Sequence, residues 1–171
     1  VQLCAGKGNL SRIVAICSQK NEAFVREHGA TEVVNYANES ELQSFFSDNQ
    51  GSFDCVYDTA SYSGGGVDYW QNSIGLLKKD SNGKTVGEYA SQNGAPGKWM
   101  RALSGMQKER ETIIMAEPNS TDLELVVKYL ENVKAKPVTQ VFSFDKEGIQ
   151  DGFKLLKSRR TKGKIVFDVL A

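Results

Sequence analysis

The sequence has little histidine: one in 171 residues. Zinc sites draw on grouped Cys and His ligands, yet His28 stands alone before Gly29, and Cys4, Cys17 and Cys55 have no ligand spacing. No metal is expected. Hydrolysis of the Ser/His/Asp kind needs a histidine base held by a partner, and His28 reads as a helix-terminal or surface residue. Cysteine is also scarce, odd in number and widely spread, which suits a reducing compartment better than a disulfide framework. The expected location is intracellular, the cytoplasm first, with mitochondria left open because the natural N-terminus reads as absent. Formal net charge is zero, and no basic run exceeds Ser158-Arg159-Arg160-Thr161-Lys162. Nucleic acid therefore has no electrostatic footprint to bind. No apolar stretch approaches the roughly 20 residues of a membrane-spanning helix.

What is present is an ordinary globular composition, 25% charged and 40% hydrophobic, with room for about one domain. Apolar runs of four to six residues alternate with helical patterns, which argues for parallel strands covered by helices on both faces. The runs predict strands at 12–17, 32–35, 53–59, 84–88 and 112–116. Between them, Leu42, Phe45 and Phe46 make one apolar helix face, and Trp70, Ile74 and Leu77 another. A helix is predicted over 122–134 from the stripe Leu123, Val126, Val127 and Leu130, with Thr121 and Glu124 as a capping box and Pro137 ending it. Beyond Pro137 the pattern becomes strand (138–144), helix (146–158) and strand (164–169).

Two stretches rich in Gly, Ser and Asn, 61–66 and 90–97, each follow a strand, where ligands bind in parallel sheets. Gly64-Gly65-Gly66 lacks the spacing of a phosphate cradle and reads as a plain loop. At the other end of the chain, residues 1–8 read as the tail of a helix that runs into a buried strand, Ile13-Val14-Ala15-Ile16. The expectation is a piece of something longer.

The segment Val14-Ala15-Ile16-Cys17-Ser18, with Asn21, Phe24-Val25 and the run His28-Gly29-Ala30-Thr31-Glu32-Val33-Val34-Asn35-Tyr36, resembles the second half of a dinucleotide-binding βαβ unit. Phe53-Asp54-Cys55-Val56-Tyr57-Asp58, Gly83-Lys84-Thr85-Val86 and Ser158-Arg159-Arg160-Thr161-Lys162-Gly163-Lys164-Ile165-Val166 follow at matching spacing. Together these resemble the medium-chain dehydrogenase/reductase superfamily, nearest its zinc-free quinone oxidoreductase branch, which includes zeta-crystallin-like and mitochondrial reticulon-interacting oxidoreductases. The resemblance spans nearly the whole chain. It implies an α/β fold: a partial Rossmann doubly wound parallel sheet over 1–136, then a C-terminal strand-helix-strand segment over 137–171 returning to the catalytic, GroES-like domain.

In that family the sheet runs 3-2-1-4-5-6, so the first strand is central. This chain carries the second and fourth strands but not the first or its Gly-rich turn. Such a strand buries several aliphatic side chains, roughly 5 to 15 kcal/mol, about the net stability of a whole domain. The gap would also leave two unpaired edges inside the sheet. The rest of a parent chain, or another chain, is expected to fill it.

Rossmann sites that prefer NAD usually end the second strand with Asp or Glu, which binds the ribose 2′-hydroxyl and repels a 2′-phosphate. Here Ser18, Gln19, Lys20 and Asn21 precede the first acid, Glu22. Ser and Lys are donors suited to phosphate, so NADPH is the expected cofactor. The plainer reading is that Ser18 caps the next helix and Lys20 is solvated. The family commonly has Lys where Asn21 stands, a departure that Lys20 could make good from the neighbouring position. Tyr36 matches a family tyrosine beside the 2′-phosphate and adenosine, or simply closes its strand with a half-buried ring. Arg159 matches a family arginine near the cofactor. Val86 and Gly87 align with backbone lining the nicotinamide, and Glu88 and Tyr89 depart from the family pattern there. Asp58 reads as a structural hydrogen-bond acceptor more than a base.

The resemblance implies that the parent is an NADPH-dependent quinone or enone reductase, with hydride passing directly to a small electron-poor acceptor and the cofactor carrying the chemistry. This chain alone is expected to turn over little. Alternatives are a non-catalytic NADPH sensor or protein-interaction module, motivated by Asn21 and Glu88, the enoyl-reductase module of a larger synthase, and a Rossmann methyltransferase, disfavoured by the missing acid. Expected partners are the acceptor and either a second copy, as a homo-oligomer, or the complement of the missing strand.

Overall fold

The computed structural model describes residues 1–6, 10–62, 68–106, 110–114, 117, 119–132, 135 and 137–169, without the side chain of Asn132. The Gly64-Gly65-Gly66 loop, the last residues of the strand expected over 112–116 and the end of the helix expected over 122–134 lie outside them. In chain order the elements are α1 (Gln2–Gly6), β1 (Val14–Cys17), a 3-10 turn (Gln19–Asn21), α2 (Glu22–Glu27), β2 (Glu32–Asn35), α3 (Glu39–Asp48), β3 (Cys55–Asp58), α4 (Trp70–Ile74), β4 (Glu88–Ser91), α5 (Pro96–Leu103), β5 (Glu111–Ile113), α6 (Ser120–Asn132), β6 (Thr139–Ser143), α7 (Lys146–Lys157) and β7 (Lys164–Asp168). None of the helices among the described residues is long and apolar enough to cross a membrane.

The chain divides into two compact units, one of Val1 with Ser11–Asn119, the other of Gln2–Leu10 with Ser120–Ala171. In the first unit β1 pairs with β2, and β3, β4 and β5 form a second sheet in that order, every pairing parallel. Set in the expected order, these are strands three and two, then four, five and six, with the central position between β1 and β3 unfilled among the described residues. Parallel strands need helical crossovers, and α3 shows how one is made. Asn38, extended, accepts from the Glu41 amide, while Glu41 Oε1 accepts from the Asn35 amide at 3.0 Å. This fixes the turn out of β2 and sends Phe45 and Phe46 inward beside Val34 and Leu76, with Val14, Leu42, Phe53 and Val56 packed around them. Each buried aromatic of this kind contributes about 1.5 to 3 kcal/mol.

Two expectations in this unit are corrected. The strand predicted over 84–88 begins at Glu88 instead, because Asp80 organises a turn: its carboxylate accepts from the Asn82 and Lys84 amides, both at 2.9 Å, and Thr85 bridges back to Lys79. Lys84, Thr85 and Val86 thus form the returning arm of a short hairpin, where β-branched residues are equally at home. Leu77 leaves the helix face expected with Trp70 and Ile74. The helix stops at Ile74, and the Phe53 amide donates to Leu76 (2.9 Å) while Lys78 donates back to Phe53 (2.9 Å), so Leu77 pairs beside Phe53 and is fully buried.

In the second unit β6 and β7 pair in parallel from Thr139 opposite Lys164 to Ser143 opposite Asp168. Asp145 caps α7 by accepting from the Gly148 amide at 2.7 Å. Gly163 turns the chain into β7 at φ 85°, where a Cβ would lie 2.1 Å from the Val138 carbonyl oxygen. α6 starts at Ser120, so Thr121 lies inside the helix instead of capping it.

Candidate functional site

A cleft of about 350 Å³ opens between β1 and β3. Its floor is apolar, made by Val14, Phe45, Phe46 and Val56, and its end at the strand C-termini is polar, made by Tyr36, Asp58 and Thr59.

Asp58 organises that end. Its Oδ1 accepts from the Ala60 amide at 2.8 Å and the Ser61 amide at 2.9 Å, and its Oδ2 accepts from the Ser61 and Tyr89 hydroxyls. Ser61 Oγ in turn accepts from the Tyr69 amide at 3.0 Å. Burial pushes the Asp58 carboxyl up, but the hydrogen bonds from Ser61, Tyr89 and the two amides outweigh it and hold the group below the usual carboxylate range. Burial, then the bond to Asp58, pushes the Tyr89 phenol well above its ordinary value. Asp58 is therefore a saturated acceptor, and it holds the loop leaving β3.

The Tyr89 ring stacks on Trp70 with centroids 5.3 Å apart, and Lys98 Nζ sits 4.5 Å from the Trp70 ring centre and 5.3 Å from that of Tyr89. Lys98 also meets Glu111 at 2.9 Å, with the two side chains 10% and 8% exposed. Sequence reasoning missed this chain of contacts from Asp58 to Glu111. Asp58, read as a hydrogen-bond acceptor, and Tyr89, as a departure from the family pattern, gave signals; Lys98 and Glu111 stand on different elements with no periodicity to join them.

Of the residues singled out from the sequence, four come together at the C-terminal ends of β1 and β2. The Tyr36 amide donates to the Cys17 carbonyl at 3.2 Å, and the Asn21 amide to the Ser18 carbonyl at 2.8 Å. Ser18 is extended and partly buried, and its hydroxyl makes no helix cap, so the plainer reading of it is not realised. Lys20 is exposed and Asn21 partly buried. The nearest carboxylate, Glu22, is engaged by Arg26 at 2.9 Å and by Gln19. Tyr36 is exposed at the rim of the cleft. Burial, with Glu22 adding to it, pushes the Cys17 thiol up.

Val86 and Gly87 do not join them. Both amides donate to the Lys78 carbonyl, and both residues precede β4, at the opposite end of the sheet from its C-terminal edge. There a Gly87 Cβ would lie 2.9 Å from the Phe53 carbonyl oxygen and 3.1 Å from Leu77. Glu88 opens β4 and pairs with Arg110 at 3.1 Å. The residues that do leave the C-terminal end of β4 are Gln92, Asn93 and Gly94. Arg159 belongs to the second unit, exposed in the turn after α7 at φ 56°. His28 ends α2, with Nδ1 2.7 Å from the Phe24 carbonyl oxygen.

Residues 28–167 match the zinc-binding dehydrogenase family. The chain belongs to that family, and so to the medium-chain dehydrogenase/reductase superfamily. Across 98% of its length it is 25% identical to the medium chain reductase pydE of an Acremonium species, covering 47% of that protein. The quinone oxidoreductase of Coxiella burnetii shares its fold, with a TM-score of 0.62 and 22% identity over 92% of this chain and 45% of that one. This member of the family therefore spans about half the length of the relatives it matches.

Proposed function

We propose that the chain forms the adenosine-side grip of an NADPH-dependent oxidoreductase of the quinone or enone reductase type. The observation that carries this is the donor set at the C-terminal end of β1. Ser18, Lys20 and Asn21 stand where an NAD site would place an acid, and Glu22 is turned to Arg26. Charge-assisted hydrogen bonds to a 2′-phosphate contribute roughly 1.5 to 3 kcal/mol each. Tyr36, at the rim, would lie along the adenosine, and Arg159 would pair with phosphate oxygens of the cofactor. Gln92, Asn93 and Gly94 take the nicotinamide-lining part expected of Val86 and Gly87.

The cofactor supplies hydride when bound, and the side chains bind and orient it. Asp58, already saturated, moves no proton in this reading. Direct hydride transfer needs no metal. The acceptor is a small quinone or enone. Residues 1–136 belong to the cofactor domain and 137–171 lead back to the catalytic domain, so the chain alone turns over little. The parent works as a homo-oligomer in an intracellular compartment.

The test is cofactor affinity in the longer parent protein, measured by titration calorimetry. NADPH binds about tenfold or more tightly than NADH, and Lys20→Glu reverses the preference. Equal affinity for the two cofactors in the unaltered protein would remove the reading. The non-catalytic alternative now rests on Asn21 alone, since Glu88 lies with Arg110 away from the cofactor end.

A further inference from the structure

We infer that the Asn93–Gly94 peptide, in the loop leaving β4, is a self-modification site. Its asparagine is converted to aspartate and isoaspartate through a succinimide, while the Asn82–Gly83 pair is held back from the same reaction. Ring closure needs the main-chain nitrogen that follows an asparagine to reach Cγ of that asparagine. A glycine in the following position leaves the approach open, because it carries no Cβ and lets the backbone turn. Asn82 and Asn93 are the asparagines of this sequence that precede a glycine.

Hydrogen bonding separates the two pairs. In the turn after Asp80, the Gly83 amide donates to the Asp80 carbonyl at 3.0 Å, and the Asn82 and Lys84 amides donate to the Asp80 carboxylate, both at 2.9 Å. The nitrogen that would attack is engaged, and the peptides that would have to rotate are pinned on either side of it. In the other loop, the Gln92 amide donates to the Asp58 carbonyl at 3.0 Å and its side-chain amide to the Tyr57 hydroxyl at 2.8 Å, while the Ala95 carbonyl accepts from Lys98 at 2.8 Å as α5 begins. Between these anchors, neither the Gly94 amide nor the Asn93 carboxamide has a hydrogen-bond partner among the described residues. Main-chain donors away from water are nearly always paired, so this partly buried amide is an exception of the kind the reaction requires. Exposure argues the other way, since Asn82 is exposed and Asn93 only partly so. Water is consumed only after the ring has closed, however, and the bonds at the nitrogen decide the order. Packing keeps glycine at 94, where a Cβ would lie 3.1 Å from Ile113 Cδ1 and 3.1 Å from Lys98 Cδ.

The atoms balance without a metal, an oxidant or a second substrate. The Gly94 nitrogen gives its proton to solvent base and bonds to Asn93 Cγ; the Cγ–Nδ2 bond breaks, and that nitrogen leaves as ammonia. Water then opens the ring at Cγ, which restores the main chain as aspartate, or at the main-chain carbonyl, which gives isoaspartate with the chain running through Cβ and Cγ. Either product carries a new carboxylate, ionised at neutral pH, in the loop leaving β4. The reaction belongs to the chain itself and goes beyond the proposed function, so it stands or falls separately from the choice of cofactor.

The experiment is incubation of the 171-residue chain in mildly alkaline buffer made with heavy-oxygen water, with peptide mapping by mass spectrometry to follow oxygen uptake at each asparagine. The expected result is that Asn93 converts about threefold to tenfold faster than Asn82, the ratio that one main-chain hydrogen bond sustains, and that the two rates converge in urea. Asp80→Ala, which releases the Asn82 and Lys84 amides, raises the rate at Asn82 and leaves that at Asn93 unchanged. Asn93→Gln abolishes uptake at that position, because the larger glutarimide ring closes far more slowly. Should either variant fail to fold, the unaltered chain mapped with and without urea carries the comparison. Equal rates at the two sites in the folded chain, or a faster Asn82, overturns the inference. So does reaction at both sites in urea with none at Asn93 in its absence.

Discussion

The Tyr89 hydroxyl donates to Asp58 across the β3–β4 pair while the ring of the same residue stacks on Trp70, centroids 5.3 Å apart. One side chain thus ties the exit of β3 to α4. The phenol is the part that can be removed alone. Tyr89→Phe keeps the stack and deletes one of the bonds to a buried carboxylate, so it should cost about 1.5 to 3 kcal/mol. Urea unfolding should show a lower midpoint with an unchanged slope; an unchanged midpoint would mean that the bond contributes nothing net.

The same carboxylate sets an acid limit. Asp58 titrates below its ordinary range when folded, so its contribution is fully present above the unfolded pKa and is lost as pH falls through the folded one. Asp145, lowered by the Gly148 amide, acts in the same direction in the second unit. Stability followed by circular dichroism should therefore decline through the acid range. Asp58→Asn should flatten part of that decline while lowering stability at neutral pH, and a variant with the full acid dependence would assign the effect elsewhere.

Lys98 and Glu111 form an ion pair almost closed to solvent. Lys98→Met strands the carboxylate, at a cost of about 3 to 5 kcal/mol, whereas Lys98→Met with Glu111→Leu should recover most of the loss. A thermal-melt double-mutant cycle measures this. Trp70 fluorescence should change with Lys98→Met as well, since the ammonium lies 4.5 Å from its ring centre. Additive losses would show that the pair is not coupled.

Gly87 has no room for a methyl group against the Phe53 carbonyl and Leu77. Gly87→Ala should destabilise by about 1 to 3 kcal/mol through overpacking. Cofactor affinity of the folded parent should be unaltered. The reverse pattern, full stability with weakened NADPH binding, would return Gly87 to the cofactor site.

Where local pattern and global packing agree, the sequence was sufficient. Val33 and Val34 favour the extended backbone of β2, and Leu42, Phe45 and Phe46 make the buried face of α3. The segment from Leu77 to Glu88 was not legible in this way. Thr85 and Val86 favour an extended backbone in a hairpin arm as much as in a core strand, and the carboxylate of Asp80 decides between them by holding the turn.

The sequence alone determined the alternation of strands and helices, the parallel sheet and the absence of an acid after β1, since each follows from residue spacing or from one short run. Tertiary structure decided that Asp58 is an acceptor and not a base, that Lys98 finds Glu111, and that Val86 and Gly87 stand at the far end of the sheet. Those outcomes depend on groups from different elements meeting in a solvent-poor interior, where unpaired charge is costly, and no one-dimensional spacing encodes such meetings.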